Sequence, residues 1–362
     1  MTKALLTTRL TAITTVAFTA ALLTGCLPGP SDVPTSSDPV QGLLDEWAQD
    51  GRGGVAVAIA SEDDDLRIAV AGTAGPDGGA LAPDSPFRVG SLSKTFVAVM
   101  VLQLVADGTI ALDDLVITHA PEMVIAEGIT IRQLLAHRTG IPEHSDGELA
   151  PAVVADPART WTPADVLALV TDQPRDFAPG EEFGYSNTNY VVAGLLLEEL
   201  TGATLAQNLQ TRLVEPLGLT STWFAPDDVR TPIGGFSDSL PGGDTDGASY
   251  RALETATGAA GALVSSAPDL ATFLRALAHG ELLPADTYAE MTDGLDEGWS
   301  LGVFPADPPS ATGISNGGSV PGFTSYMQYD PATEDLFVLL LNDDTRSPEH
   351  LGVALSEIVT TG

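Results

Sequence analysis

The sequence has few of the residues on which several classes of functional site depend. It holds one cysteine, Cys26, among 362 residues, so it can form neither an intrachain disulfide nor a cysteine-based metal site. The five histidines lie apart, without the paired spacing of a zinc-binding helix. These absences argue against a metal hydrolase, and we expect no cofactor or metal.

Positive charge is also scarce. The chain carries 15 Lys+Arg against 49 Asp+Glu, a formal net charge of −34. Such an acidic surface repels phosphate backbones, so we do not expect nucleic acid as a partner. Hydrophobic residues make up 44% of the chain and charged residues 18%. This balance predicts a folded apolar core rather than a disordered chain.

Residues 1–25 have the pattern of a secretory signal peptide. Lys3 and Arg9 give a positive start, and Leu10–Leu23 is an uncharged apolar run. At about 14 residues this run is shorter than the roughly 20 that a membrane-spanning helix needs. It fits the apolar region of a signal peptide instead.

The segment Leu23-Thr24-Gly25-Cys26 resembles the lipobox of bacterial lipoproteins. The resemblance implies cleavage before Cys26 and lipidation of its thiol, and hence an extracytoplasmic protein anchored to the bacterial cell membrane. An ordinary signal peptide with a cysteine at this position by chance is the alternative. Residues 26–39 are rich in proline and serine and predict an extended tether before a folded domain over residues 40–362.

The folded part begins and ends with strands. Apolar patterns predict strands over Val55–Ala60, Leu66–Ala71, Ile314–Gly318, Thr324–Tyr329 and Leu336–Leu341. Helices are predicted over Val40–Gln49, Ser91–Asp107, Tyr190–Leu200, Asp269–His279 and Glu349–Thr360. Two early and three late strands predict one split sheet, with a helical insert at roughly residues 109–295.

A Ser-x-x-Lys motif, Ser91 to Lys94, opens the long helix. Residues three apart on a helix lie on one face, so Lys94 can reach the Ser91 hydroxyl. A serine is a poor nucleophile until a base takes its proton, and lysine can do so only where burial disfavours its charged form. Of the two lysines, Lys3 lies in the signal segment, so Lys94 is the only lysine of the expected mature chain.

Tyr185-Ser186-Asn187 is a second motif, on a loop before the helix predicted at Tyr190. A tyrosine can exchange a proton with a lysine, and an asparagine can bind an ammonium group or a substrate amide. Alternatively, Asn187 only caps the next helix.

Asn316-Gly317-Gly318-Ser319 is a third motif. Glycines weaken a strand unless another backbone or a ligand approaches closely. A strand beside Ser91 could offer a backbone N–H to an oxyanion. Alone, this motif is a glycine-rich turn.

In order and spacing, the three motifs together resemble the β-lactamase and penicillin-binding-protein superfamily of serine hydrolases. The resemblance is strongest to its branch of class C β-lactamases, D-alanyl-D-alanine carboxypeptidases and related esterases. Leu134 to Pro142 and Leu217 to Leu219 also resemble this branch. The resemblance implies an α+β fold of the DD-peptidase/β-lactamase type, an antiparallel five-stranded sheet flanked by helices plus a helical subdomain.

The resemblance also implies roles for individual residues. Ser91 would attack a carbonyl to form an acyl-enzyme, while Lys94 and Tyr185 move the protons and Asn187 orients Lys94 and the acyl amide. The backbone N–H groups of Ser91 and Ser319 would form the oxyanion hole. The residues predicted to bind substrate are Asn187, Asn316, Gly317, Gly318 and Ser319.

One residue departs from the family pattern. Asn316 stands where Lys or His is usual, and asparagine cannot carry a positive charge to a substrate carboxylate. The first interpretation is a D-Ala-D-Ala carboxypeptidase or β-lactamase-like enzyme acting on small molecules or peptidoglycan stem peptides, expected to be a monomer. An esterase or amidase for neutral acyl groups is the alternative. A third hypothesis is a non-catalytic lipoprotein that binds penicillin or muropeptides.

Gly313 to Gly317 also matches the Gly-x-Ser-x-Gly nucleophile elbow, with Ser315 at its centre. That elbow needs a helix directly after the serine. The following Gly318, Pro321 and Gly322 argue against a helix there.

Overall fold

The computed structural model describes residues 38–61, 65–147, 149–238, 251–295, 298, 300–307, 312–346, 348, 351–355 and 358. The predicted signal segment, Cys26 and most of the tether lie outside these residues. Within the described ranges, no helix is both long and apolar enough to cross a membrane.

An antiparallel sheet forms the centre of the fold. Its strands are β1 (Gly54–Ala60), β2 (Arg67–Gly72), β6 (Phe304–Pro305), β7 (Ile314–Val320), β8 (Phe323–Asp330) and β9 (Asp335–Leu341). Their order is β2-β1-β9-β8-β7-β6. Val55 of β1 lies opposite Leu341 of β9, so the two ends of the folded chain meet in one sheet, as predicted.

The sheet has six strands rather than the five expected. All five predicted strands are present, with ends within two residues of the prediction. The sixth is β6, two residues long, which pairs with Ile314 and Ser315 of β7 and is too short to give a periodic pattern. A second small sheet, also not predicted, joins β3 (Phe87–Arg88), β5 (Leu263–Ser265) and β4 (Trp223–Phe224).

Helices surround the sheet and fill the region between β2 and β6. They are α1 (Pro39–Trp47), α2 (Leu92–Ala106), α3 (Val116–His119), α4 (Ile131–Leu135), α5 (Leu149–Ala155), α6 (Pro163–Ala168), α7 (Asn187–Thr201), α8 (Leu205–Leu209), α9 (Glu215–Leu217), α10 (Arg251–Thr257), α11 (Ala267–Ala278) and α12 (Ala285–Thr292). Residues 351–355 are helical, and much of the predicted helix Glu349–Thr360 lies outside the described residues. The helix predicted at Tyr190 begins three residues earlier, at Asn187.

Helix α2 passes through the core. Every residue from Leu92 to Leu102 is buried, as expected for a helix that is apolar on all sides. Phe96 stacks on Phe273 of α11, with ring centroids 3.7 Å apart. Because α2 contacts β7 and β8 as well as α7, its first turn lies in the seam between the sheet and the helical region.

The two faces of the sheet have separate apolar layers. On one face α1 places Val40 and Leu44 against Val55, Val57 and Leu341. On the other face α2 and α11 cover the sheet, and α11 contacts β1, β8 and β9. Helix α11 belongs to the predicted insert of residues 109–295, so part of this insert packs on the sheet.

Candidate active site

Ser91 stands immediately before α2, at the position where serine side chains commonly cap a helix. Its backbone is helical (φ −64°, ψ −9°), and its side chain makes no capping hydrogen bond. The hydroxyl Oγ lies instead 2.8 Å from the Tyr185 hydroxyl and 3.0 Å from Lys94 Nζ. The positive end of the α2 dipole also favours negative charge that develops at this oxygen.

Lys94 lies one turn further along α2 and is only 2% exposed. Its ammonium group donates to Ser91 Oγ at 3.0 Å, to Asn187 Oδ1 at 2.7 Å and to the Ala260 carbonyl at 2.7 Å. Three acceptors match the three donors of an ammonium group, so its orientation is fixed. The spacing of the first motif thus brings Lys94 to Ser91 as expected.

The second motif lies beside the first motif, between the sheet and the helical region. Tyr185 lies just before α7, and its ring centroid is 4.9 Å from Lys94 Nζ. Asn187 is the first residue of α7, and its side chain accepts from Lys94 rather than capping the helix. The structure therefore brings Ser91, Lys94, Tyr185 and Asn187 into one hydrogen-bonded cluster.

His137 packs against the ring of Tyr185. Its ring stacks on the Tyr185 ring, with centroids 4.4 Å apart, and its Nδ1 accepts from the backbone N–H of Ser186 at 3.2 Å. Burial and the nearby charge of Lys94 lower the pKa of His137 to about 3. The imidazole is therefore neutral near pH 7 and acts as a rigid support for the tyrosine.

Glu143 caps α7 from another segment of the chain. Its carboxylate accepts the backbone N–H of Asn187 and, at 2.8 Å, that of Ser145. Ser186, which precedes α7, makes no side-chain capping bond, so Glu143 supplies the negative group that a helix N-terminus favours. Sequence reasoning gave no role to Glu143 or His137. The only signal was that both lie in or next to the Leu134 to Pro142 stretch.

The third motif lies against the start of α2. A Cβ at Gly318 would lie 2.1 Å from the Val89 carbonyl oxygen and 3.0 Å from Ser91 N, and one at Gly90 would lie 3.0 Å from Ser319 N. Gly90 also has φ +51°, a conformation that favours glycine. The two glycines let the backbone of residues 318–319 approach that of residues 90–91, where an oxyanion site is expected.

Asn316 faces α2. It is 3% exposed, and its side-chain amide donates to Thr95 Oγ1 at 2.8 Å. Thr95 in turn donates to the Gly302 carbonyl at 2.8 Å. The asparagine thus ties β7 to α2, and its predicted contact with substrate stays a prediction.

A cleft of about 460 Å³ opens beside Ser91. Among the described residues that line it, none has a charged side chain. They include Tyr185, Asn187 and the third motif, with apolar walls formed by Phe183, Phe304, Tyr326, Leu339 and Pro348. A cleft of this kind suits an uncharged ligand with apolar surface.

The alternative nucleophile Ser315 lies inside β7, and its hydroxyl donates to the Pro305 carbonyl at 2.6 Å. The strand continues to Val320 and turns into β8, so no nucleophile elbow forms. Among the described residues, no group of three or more His, Cys, Asp or Glu side chains is arranged to hold a metal ion.

Comparisons with known proteins agree with this arrangement. PbpX of Bacillus subtilis, which carries the name putative penicillin-binding protein, is 28% identical over 261 residues, which are 72% of this chain and 63% of that protein. The chain therefore spans less than two thirds of that relative's length. A D-stereospecific amidohydrolase from Streptomyces sp. is 28% identical, with a TM-score of 0.72, over 84% of this chain and 94% of that one.

The D-amino acid amidase from Ochrobactrum anthropi SV3, solved with D-phenylalanine, is 25% identical with a TM-score of 0.76. The match covers 90% of this chain and 99% of that one. The sequence profile of the Beta-lactamase family matches residues 40–358, nearly the whole folded part. This chain therefore belongs to the Beta-lactamase family of serine hydrolases.

Proposed function

We propose that this protein hydrolyses neutral esters or amides, with no carboxylate beside the bond that is cleaved, through an acyl-enzyme on Ser91. One observation carries the proposal: Ser91 Oγ lies within 3.0 Å of both Lys94 Nζ and the Tyr185 hydroxyl. A hydroxyl without a role in helix capping, next to two groups that exchange protons, is the arrangement of an activated nucleophile.

The proposed reaction has two steps. In the first, the Lys94–Tyr185 pair holds one proton fewer than an ammonium group plus a phenol, so it can accept a proton. Ser91 Oγ bonds to the substrate carbonyl carbon as the serine proton passes to this pair. The pair returns that proton to the leaving nitrogen or oxygen as its bond to carbon breaks. In the second step, water adds to the acyl-enzyme by the same proton path and releases the acid and Ser91.

The backbone supplies the proposed oxyanion site. Negative charge that develops on the carbonyl oxygen would meet the N–H groups of Ser91 and Ser319, whose backbones the two facing glycines bring together. Asn187 holds Lys94 through its Oδ1, and Glu143 holds the backbone of Asn187. These two residues therefore position the base rather than react.

The preference for substrates without a carboxylate is argued from the cleft and from Asn316. A substrate carboxylate would require a cation or several free donors, and the described lining offers no charged side chain. The amide of Asn316 already donates to Thr95. The amidohydrolase and the amidase among the structural neighbours support hydrolysis of an amide.

The test compares three substrates on the purified protein: p-nitrophenyl acetate, N-acetyl-D-phenylalaninamide and a peptide ending in D-Ala-D-Ala. We expect kcat/KM for the neutral amide to exceed that for the peptide at least tenfold, with turnover of all three substrates lost in Ser91→Ala. The reverse order would support the carboxypeptidase interpretation instead. No turnover of any substrate and no covalent labelling would favour a non-catalytic binding protein.

We also propose that Cys26 carries a lipid anchor, from the lipobox-like segment Leu23 to Cys26. In a bacterial host with lipoprotein processing, the intact chain should fractionate with membranes and incorporate a labelled fatty acid. Cys26→Ser should lose the label. Equal labelling of both proteins would refute the anchor.

A further inference from the structure

Strand β7 contains two adjacent glycines, and packing requires only one of them. A Cβ at Gly318 would collide with the Val89 carbonyl oxygen. At Gly317 the nearest atom to such a Cβ is the Ser325 carbonyl oxygen, at 3.9 Å, an ordinary van der Waals distance. Gly317 also lies outside the left-handed region of backbone conformation. Neither close approach nor backbone geometry therefore explains this glycine, although glycine weakens a strand.

The alternation of β7 shows where a side chain at position 317 would go. Asn316 and Gly318 face α2, so residues 317 and 319 face the opposite side, where both are exposed. Gly317 pairs directly with Tyr326 of β8. Both residues line the cleft beside Ser91. Tyr326 belongs to the apolar layer beneath α1, so a side chain at position 317 would project on the α1 face of the sheet, into the part of the cleft that reaches around β7 from Ser91.

The surroundings indicate what the space at Gly317 can hold. The cleft continues from Ser91 across Gly317 to Tyr326 and Leu339, with Phe183 and Phe304 among its walls. The described lining is free of charged side chains. Apolar and aromatic walls gain most from burying an apolar group, because they offer no partner for a charge.

We infer that Gly317 determines substrate size, leaving room in the cleft for a bulky uncharged substituent, aromatic or branched aliphatic, on the ester or amide that Ser91 attacks. This inference rests on the proposed function, since it concerns the substrate of the same site. It adds the prediction that the enzyme prefers bulky over minimal substrates. The preference is expected because the glycine at position 317 has no side chain to fill this part of the cleft.

The test replaces Gly317 by alanine and by valine. Alanine adds a single methyl group, and valine, which suits a strand, fills more of the cleft. Rates are measured by pH-stat on methyl acetate, methyl phenylacetate and benzyl acetate, so that the bulky group lies on the acyl side or on the alcohol side of the ester. Gly79→Val is the matched control, because Gly79 lacks a left-handed φ, its nearest contact for a Cβ is 3.8 Å, and it lies outside the described cleft lining.

The expected result is a selective loss. A single methylene group too many in an apolar pocket costs about 10- to 200-fold in discrimination, and valine adds three carbons to glycine. We therefore expect Gly317→Val to lower kcat/KM for at least one bulky ester tenfold or more relative to methyl acetate. Gly317→Ala should give a smaller loss of the same kind, and Gly79→Val none. The bulky ester that loses activity identifies the side of the substrate that lies over Gly317.

Two results would overturn the inference. If Gly317→Val folds with the parent's Tm but slows all three esters equally, or none of them, position 317 does not set substrate size. If the parent itself hydrolyses no ester and Ser91 takes no label from a fluorophosphonate, the proposed function fails, and the size preference falls with it. The activity of the parent thus separates the two failures.

Discussion

The hydroxyl oxygens of Ser91 and Tyr185 lie 2.8 Å apart, although 94 positions separate the two residues in the chain. Lys94 Nζ lies 3.0 Å from the same serine oxygen, so two groups able to exchange protons flank one nucleophile. Ser91 immediately precedes α2, Lys94 lies in the first turn of that helix, and Tyr185 lies in the loop before α7. The three residues meet because their segments pack together between the sheet and the helical region.

Removing the Tyr185 hydroxyl should impair catalysis but not folding. In Tyr185→Phe the ring can keep its stack on His137, 4.4 Å between centroids in the parent, so the Tm should change little. We expect kcat to fall about 10²–10³-fold, within the usual range for loss of a proton-transfer group. Steady-state kinetics on p-nitrophenyl acetate, with thermal unfolding alongside, measure both. An unchanged kcat would remove Tyr185 from the proton path.

The variant Lys94→Met tests whether Lys94 is the base that accepts the serine proton. Methionine is unbranched and apolar, so it suits a side chain that is 2% exposed in the parent. Without the amine, the rate of serine acylation should fall about 10²–10⁴-fold. Stopped-flow acylation by p-nitrophenyl acetate gives this rate directly. Acylation within tenfold of the parent, in a variant with a native circular dichroism spectrum, would show that another group takes the proton.

The two glycines of β7 should differ sharply in their tolerance of alanine. Gly318→Ala places a methyl group 2.1 Å from the Val89 carbonyl oxygen, and we expect a loss of about 1–3 kcal/mol in the free energy of unfolding. Gly317→Ala should lie within about 1 kcal/mol of the parent, because its Cβ has ordinary contacts. Urea unfolding of both variants checks the difference. Equal stabilities would mean that β7 does not approach Ser91 as closely as described.

His137 should make the protein less stable in acid. Burial and the charge of Lys94 lower its pKa from 6.5 to about 3. Between these values the unfolded chain binds a proton that the folded state does not, so this contribution is present above pH 6.5 and is lost as the pH falls toward 3. The slope from this one group approaches about 1.4 kcal/mol per pH unit.

His137→Asn isolates that contribution. His137 has φ +55°, and asparagine tolerates this conformation better than most residues. The free energy of unfolding, measured between pH 6.5 and pH 4, should decline less steeply in the variant than in the parent. Parallel curves would show that His137 is protonated in the folded state over this range.

The parts of the structure that depend on local spacing could be predicted from the sequence. The i, i+3 relation of Ser91 and Lys94 becomes a contact because both lie in one helical turn. Strands β1, β2, β7, β8 and β9 follow from apolar runs and alternation. The proximity of Tyr185 and the third motif to Ser91 came from the family resemblance, because no local pattern carries it.

Features that depend on long-range packing could not be predicted. Glu143 lies at the start of α7, and the Ala260 carbonyl faces Lys94, only because distant loops fold against the seam. The hydrogen bond from the Asn316 amide to Thr95 joins two segments 221 positions apart, so no local pattern carries it. The strands β3, β4 and β6 have two residues each, too few for a periodic signal.

Intact-mass analysis of covalent adducts tests the central claim most directly. The protein and its Ser91→Ala variant are exposed briefly to a fluorophosphonate, and separately to a penicillin. We predict a mass gain equal to the phosphonyl group on the parent, located at Ser91 by peptide mapping, and none on the variant. A gain with penicillin would add recognition of that drug. A phosphonyl adduct of equal extent on the variant, or on a residue other than Ser91 in the parent, would contradict the assignment of Ser91 as the nucleophile.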